Sequence, residues 1–149
     1  ISTTILLVCD KGTESQAIMR LSRVGFDNVI GYLEGGFEIW KKSNQITDSI
    51  DSILPINLKE IINSKISLID VRSKNERNKG YLKNSQNIPL NIIDQNIDRF
   101  DKSTSHYIHC AGGYRSMIAC SILKRLGFDS LRDISGGFAE IRKAGFKIH

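Results

Sequence analysis

The stretch His109-Cys110-Ala111-Gly112-Gly113-Tyr114-Arg115-Ser116 constrains this chain more than any other. It follows a run with strand character, Ser105 to His109, and opens a helical pattern from Ser116 to Leu126. A strand that runs through a glycine-bearing loop into a helix makes an anion-binding nest. Successive backbone N–H groups converge on one point, and the helix dipole adds partial positive charge there. Both effects favour thiolate over thiol, so Cys110 at the base of the nest is expected to have a lowered pKa and to act as a nucleophile. A lone cysteine beside a turn is more often inert packing. Here the loop glycines, Arg115 and the strand-to-helix setting coincide.

The rest of the chain supplies the sheet that such a loop needs. Asn57 with Glu60 predicts a capped helix from Leu58 to Asn63, and Ser67 to Val71 a buried strand. Ser73 with Glu76 is a second cap signal, for a short helix that stops before Gly80. Ser85 to Ile88 predicts another short strand, and Ile92, Ile93, Ile97 and Phe100 fit one face of an amphipathic helix. A strand at Leu131 to Asp133 and a helix from Gly137 to Lys143 follow the Ser116 helix. Alternating strands and helices, with strands apolar on both faces, indicate an α/β fold with an open parallel sheet covered on both sides. Ligands of such sheets bind at the carboxyl ends of the strands, where Cys110 is expected.

The first 43 residues repeat part of this pattern. Ile5 to Val8 reads as a strand, Cys9 to Ser15 as a turn, and Ala17, Ile18, Leu21 and Val24 as a helix face ended by Gly25. A strand near Val29-Ile30 and a helix from about Phe37 to Lys42 follow. Cys9, Gly12 and Ser15 fall on Cys110, Gly113 and Ser116 at one offset. Gly25-Phe26-Asp27 falls on Gly127-Phe128-Asp129 after a one-residue shift, and Gly35-Gly36-Phe37 falls on Gly136-Gly137-Phe138 once the shift is undone. A duplicated unit explains this agreement. Glu14 stands where Arg115 stands in the second copy, and a carboxylate there disfavours a thiolate, so Cys9 is expected to be inactive. Residues 44–55, rich in Asn, Ser, Asp and Thr and ending in Pro55, read as a linker to a complete domain over residues 56–149.

The loop resembles that of the rhodanese family of sulfurtransferases, in which Cys-x-x-Gly-x-Arg-Ser is typical. Leu68-Ile69-Asp70-Val71-Arg72, Glu76, Gly80-Tyr81-Leu82, Asn87-Ile88-Pro89-Leu90, Gly127-Phe128 and Ser135-Gly136-Gly137-Phe138 extend the likeness, with Tyr81 where His is commoner. The resemblance implies a rhodanese-like sheet and the second half of a further such domain in residues 1–43. It implies transfer of sulfane sulfur through a Cys110 persulfide, cradled by Ala111, Gly112, Gly113, Tyr114, Arg115 and Ser116. Its donor would be a small anion, thiosulfate or a persulfide, its acceptor a thiol, and it needs no cofactor. Asp70 and Arg72 are expected to support the loop as an ion pair or hydrogen-bond anchor. The loop from Cys110 to Arg115 has the six-residue length of the sulfurtransferase branch, one shorter than in the phosphatase branch. A half-domain before a full one also resembles the tail of fusions with a metallo-β-lactamase-like persulfide dioxygenase, a candidate partner. The rival reading is a sulfur-holding or partner-binding module without turnover.

Charge and cysteine usage narrow the alternatives. The net charge of +5 is dispersed among acids, with no basic stripe interleaved with aromatics, which argues against nucleic acid as a partner. No apolar run approaches the ~20 residues of a membrane span. Cys9, Cys110 and Cys120 match no metal spacing and read as reduced thiols of a cytoplasmic protein, with Cys120 in the core. His109 and Cys110 are adjacent on a strand, so they point to opposite faces and no metal site is expected. The start at Ile1, without Met, suggests a fragment. Trp40 and Ile141 read as equivalent packing positions.

Overall fold

The structure is a computed structural model that describes residues 2–62 and 66–149. The chain forms two compact units, residues 1–48 and residues 49–149.

The first unit is β1 (Ile5–Leu7), α1 (Glu14–Ser22), β2 (Val29–Tyr32) and α2 (Gly36–Lys42), with β1 and β2 parallel. Pairing runs from Ile5↔Val29 to Leu6↔Gly31 and so skips Ile30. That bulge sits where the repeat alignment needs one extra residue. Gly36 has φ +61°, and a side chain there would collide with the Cys9 carbonyl. In the second unit, Gly137 has φ +58° and the same relation to the Cys110 carbonyl. Gly36 is the one buried residue among the described residues of the first unit.

The second unit holds β3 (Asp51–Ile53), α3 (Pro55–Ile61), β4 (Ser67–Asp70), α4 (Lys74–Arg77) and β5 (Gln86–Asn87). A 3₁₀ segment (Leu90–Arg99), β6 (His106–His109), α5 (Tyr114–Arg125), β7 (Leu131–Ile134) and α6 (Gly137–Lys143) complete it. The sheet order is β3-β7-β6-β4-β5 and every pairing is parallel. Side chains alternate across the central strands, so each strand feeds two cores. Ile69, Ile108 and Leu131 join Ala119, Cys120 and Leu123 of α5 and Ile93 of the 3₁₀ segment on one face. Leu68, Tyr107 and Ile134 join Leu58 of α3 and Ile141 of α6 on the other. Burial of both faces explains why β4 and β6 carry adjacent large side chains, Leu68-Ile69 and Tyr107-Ile108, one for each core.

Three expectations change. The second half of the expected linker is structural: Asp51–Ile53 pairs with Arg132–Ile134 as the edge strand β3. Helix α3 starts at Pro55, with Leu54 as its N-cap, rather than at an Asn57 cap. Proline is pre-organised for the first helical position and needs no N–H there, which outweighs the Asn57–Glu60 pattern. The expected end of that helix at Asn63 lies outside the described residues. The amphipathic stretch at Ile92–Phe100 is a kinked 3₁₀ segment, with non-helical angles at Ile92 and Asn96. The Asn96 side chain donates to the Ile92 carbonyl at 2.8 Å, a local bond that competes with the α-helical ladder.

Candidate active site

Cys110 directly follows β6, the central strand, at its carboxyl end, and is 1% exposed. Its Sγ accepts the Gly113 N–H at 3.1 Å and the Ser116 hydroxyl at 3.5 Å. Gly113 caps α5 at φ +100°, so the helix opens at Tyr114, two residues earlier than its apolar pattern suggests. Burial pushes the thiol pKa up, but the Ser116 hydroxyl and the N–H groups of Ser116, Gly112 and Gly113 outweigh it, so the pKa is lowered. Cys120 shows what burial does without a nest: desolvation, and then the nearby Asp133, push its thiol to about 12. Loop geometry therefore separates two thiols that are both buried.

The loop is held from beneath by α6. Phe138 N–H donates to the Cys110 carbonyl at 2.7 Å and Ala139 N–H to the Ala111 carbonyl at 3.1 Å. Ala111 thus anchors the loop through its carbonyl, while Tyr114 projects into solvent at 83% exposure. Gly137 must lack a side chain for this approach, since a Cβ would strike the Cys110 carbonyl.

Asp70 and Arg72 form a buried ion pair. Arg72 donates to Asp70 from Nη2 at 2.7 Å and from Nε at 3.0 Å, and to the Gly80 carbonyl at 2.9 Å. Its guanidinium lies 3.7 Å over the Phe138 ring, which ties the pair to the helix that holds the loop. Burial raises the Asp70 pKa, but the Arg72 hydrogen bond and the neighbouring charges win and it is lowered. His109 is fully buried and stacked on Phe138, and desolvation brings its pKa to about 4. It is neutral at pH 7 and faces Phe138, whereas Cys110 packs in the α5-side core.

Arg115 has a partner that the sequence reading missed. Its Nη2 and Nη1 donate to Glu76 Oε1 and Oε2 at 2.6 and 2.8 Å, a two-point pair about one-third exposed on each side. Glu76 also closes the capping box of α4, where Ser73 N–H and Oγ reach Oε2 at 3.1 and 2.8 Å. The Arg115 bonds first, and then those of Ser73, bring the Glu76 pKa to about 2 against a modest burial cost. The Ser73-x-x-Glu76 pattern was legible as a cap, and only folding brings Arg115 onto it. Beside the pair a cleft of about 210 Å³ is lined by Val71, Ser73, Leu90, Asn91 and Arg115.

The loop after β1 is built differently. There the Gly12 N–H, the counterpart of the Gly113 N–H, donates to the Glu14 carboxylate at 3.0 Å instead of to a sulfur. The amide that polarises Cys110 is thus occupied in the first unit. Among the described residues no group of three or more His, Cys, Asp or Glu side chains is placed to hold a metal ion.

Residues 55–144 match the model of the rhodanese-like domain. The putative sulfurtransferase YtwF of Bacillus subtilis is 31% identical over 90 residues, which cover 59% of this chain and 86% of that protein. The adenylyltransferase and sulfurtransferase uba4 of Ogataea parapolymorpha is 37% identical over 75 residues, 49% of this chain and 19% of that protein. The chain therefore spans only about a fifth of that relative's length. Among solved structures, a rhodanese-like domain protein from Staphylococcus aureus superposes with a TM-score of 0.61 at 33% identity, covering 67% of this chain and 99% of that one. The matched segment contains strands β4 to β7 of the parallel sheet, the Cys110 loop and helices α5 and α6 beside it; this chain belongs to the family of rhodanese-like domains.

Proposed function

We propose that the second unit transfers sulfane sulfur through Cys110. The Cys110 thiolate attacks the outer sulfur of thiosulfate or a low-molecular-weight persulfide. A Cys110 S–S bond forms, the donor's S–S bond breaks, and its electron pair leaves with sulfite or a thiolate. The terminal sulfur of the Cys110 persulfide carries the negative charge into the nest of N–H groups. An acceptor thiolate, or cyanide in an assay, then attacks that sulfur and Cys110 leaves as thiolate, giving ping-pong kinetics. The observation that carries this reading is the Cys110 Sγ itself, on a residue only 1% exposed and held by the Gly113 N–H and the Ser116 hydroxyl. The sulfurtransferase names of the relatives point the same way.

The test is intact-mass analysis of the protein after thiosulfate treatment, with steady-state transfer to cyanide. The expected result is a gain of one sulfur atom on Cys110 and turnover that Cys110→Ser abolishes and Cys9→Ser leaves in place. Loading without turnover would favour the carrier module. No loading would overturn sulfur chemistry altogether.

The first unit fits the second half of a duplicated domain that has lost its chemistry. The paired glycines at equal φ, the shared close approach to a cysteine carbonyl, and the Glu14-occupied loop support that reading. A metallo-β-lactamase-like persulfide dioxygenase remains the partner that such an arrangement suggests. The three free thiols suit a cytoplasmic setting, and among the described residues no helix is long and apolar enough to cross a membrane.

A further inference from the structure

The chemistry above leaves one feature unused, the cleft beside the Arg115–Glu76 pair. Its volume is about 210 Å³, and Val71, Ser73, Leu90, Asn91 and Arg115 line it. It borders the nucleophile's loop on two sides. Val71 belongs to the same core cluster as Cys110, and its N–H donates to the His109 carbonyl at 2.9 Å. That bond continues the β4–β6 register and sets Val71 level with Cys110. Arg115 ends the Cys110 loop itself. Leu90 packs on the same core and donates its N–H to the Val71 carbonyl at 3.1 Å, which ties the two apolar walls together.

The polar groups of the cleft carry no spare charge. Arg115 is its one cation, and Glu76 takes Nη2 and Nη1 at 2.6 and 2.8 Å. The Ser73 hydroxyl donates to the same carboxylate at 2.8 Å. The Asn91 side chain is exposed and has no hydrogen-bond partner among the described residues. A dianion such as thiosulfate would have to compete with Glu76 for Arg115. A carbon chain needs no such partner. It sheds water between Val71 and Leu90, and a polar end can meet the Asn91 amide. Pockets for drug-sized ligands run to roughly 300–1,000 Å³, so this smaller cleft suits a tail of amino-acid size.

We propose that the cleft receives the carbon chain of an organic persulfide donor, so that Cys110 works on organic sulfur in preference to inorganic thiosulfate. Leu90 and Asn91 are then specificity-determining residues. This deepens the reading of Cys110 as a sulfur-transfer nucleophile and rests on it.

The experiment blocks Cys110 of the full chain with methanethiosulfonates that differ only in their tail: methyl, propyl and 2-sulfonatoethyl. The thiolate attacks the tail-bearing sulfur, a Cys110 mixed disulfide forms, and methanesulfinate leaves with the electron pair of the broken S–S bond. Rates are followed on the Cys110 peptide by mass spectrometry and divided by those of free cysteine with the same reagent. Propyl should exceed methyl by about tenfold, since each buried methylene gains roughly fourfold and the mouth is open. Propyl should also exceed the anionic tail, by about fivefold, because the cleft leaves that charge unpaired. Asn91→Trp, which fills the mouth, and Leu90→Ser, which removes a wall, should each cut the propyl-to-methyl ratio by more than half. Equal propyl and methyl rates, an anionic tail that reacts as fast as propyl, or a ratio unchanged in both variants overturns the proposal. The series requires a reactive Cys110 and no turnover, so it can fail while thiosulfate loading succeeds, and the reverse.

Discussion

At the scale of the residue, the site depends on how two buried thiols and one cation are treated. Cys110 and Cys120 are 1% and 0% exposed, yet their pKa values move in opposite directions. Alkylation at pH 7 should therefore mark Cys110 first and Cys120 last. Peptide mapping with Cys120 reacting ahead of Cys110 would remove the nest as the cause. Arg115 is fixed by Glu76 rather than left free for a donor. Arg115→Glu would set two carboxylates facing each other beside the thiolate. A like charge near the sulfur raises its pKa by roughly 1–3 units, so thiosulfate turnover at neutral pH should drop about tenfold or more. The fold should persist, since the side chain is about one-third exposed. Arg115→Lys keeps charge but loses the two-point fork and should recover only part of the rate. Wild-type turnover in Arg115→Glu would exclude any role at the site.

At the scale of the element, α4 is a four-residue helix that presents the Glu76 carboxylate to Arg115. Its capping box and the Arg115 pair both use Glu76, so one proton undoes both. The Glu76 pKa is depressed in the folded protein, to about 2 from an ordinary 4.5. Its contribution is thus fully present above about pH 4.5 and is lost as pH falls toward 2. For a part-exposed pair the amount is small, about 0.2–1 kcal/mol. The thermal midpoint of wild type should exceed that of Glu76→Gln at pH 6, and the two should converge by pH 2. A difference that stays constant across that range would mean that the charge on Glu76 is not what stabilises α4. The loop between β6 and α5 shows the same economy, because α6 secures it through two backbone hydrogen bonds rather than through side chains.

At the scale of the whole molecule, the second unit carries two cores on the two faces of one sheet, and the first unit buries little. Residues 49–149 expressed alone should fold and keep the fast Cys110 alkylation. A version starting at Pro55 should be less stable, since it removes β3, which pairs with β7 beside Asp133. Equal urea midpoints for the two versions would show β3 to be dispensable. Truncating Leu123, fully buried in the α5-side core, to Ala should cost about 2–5 kcal/mol and lower that midpoint further. Much of this was legible along the chain: the Leu68-Ile69 and Tyr107-Ile108 pairs marked β4 and β6, the Ser73-x-x-Glu76 cap marked α4, and the glycine loop before a helical pattern marked Cys110. These are local signals, written in periodicity and in residues with restricted backbone preferences. The strand at Asp51–Ile53 was not legible, because a short polar edge strand becomes one only when β7 offers it a partner. Nor was the Glu76–Arg115 pair, which joins residues far apart in sequence. The sequence alone determined a cysteine in a glycine-bearing loop at the end of a strand in a parallel sheet. Only the tertiary structure decided which charges and hydroxyls surround it, because strand order and helix packing set those distances and burial sets their strength.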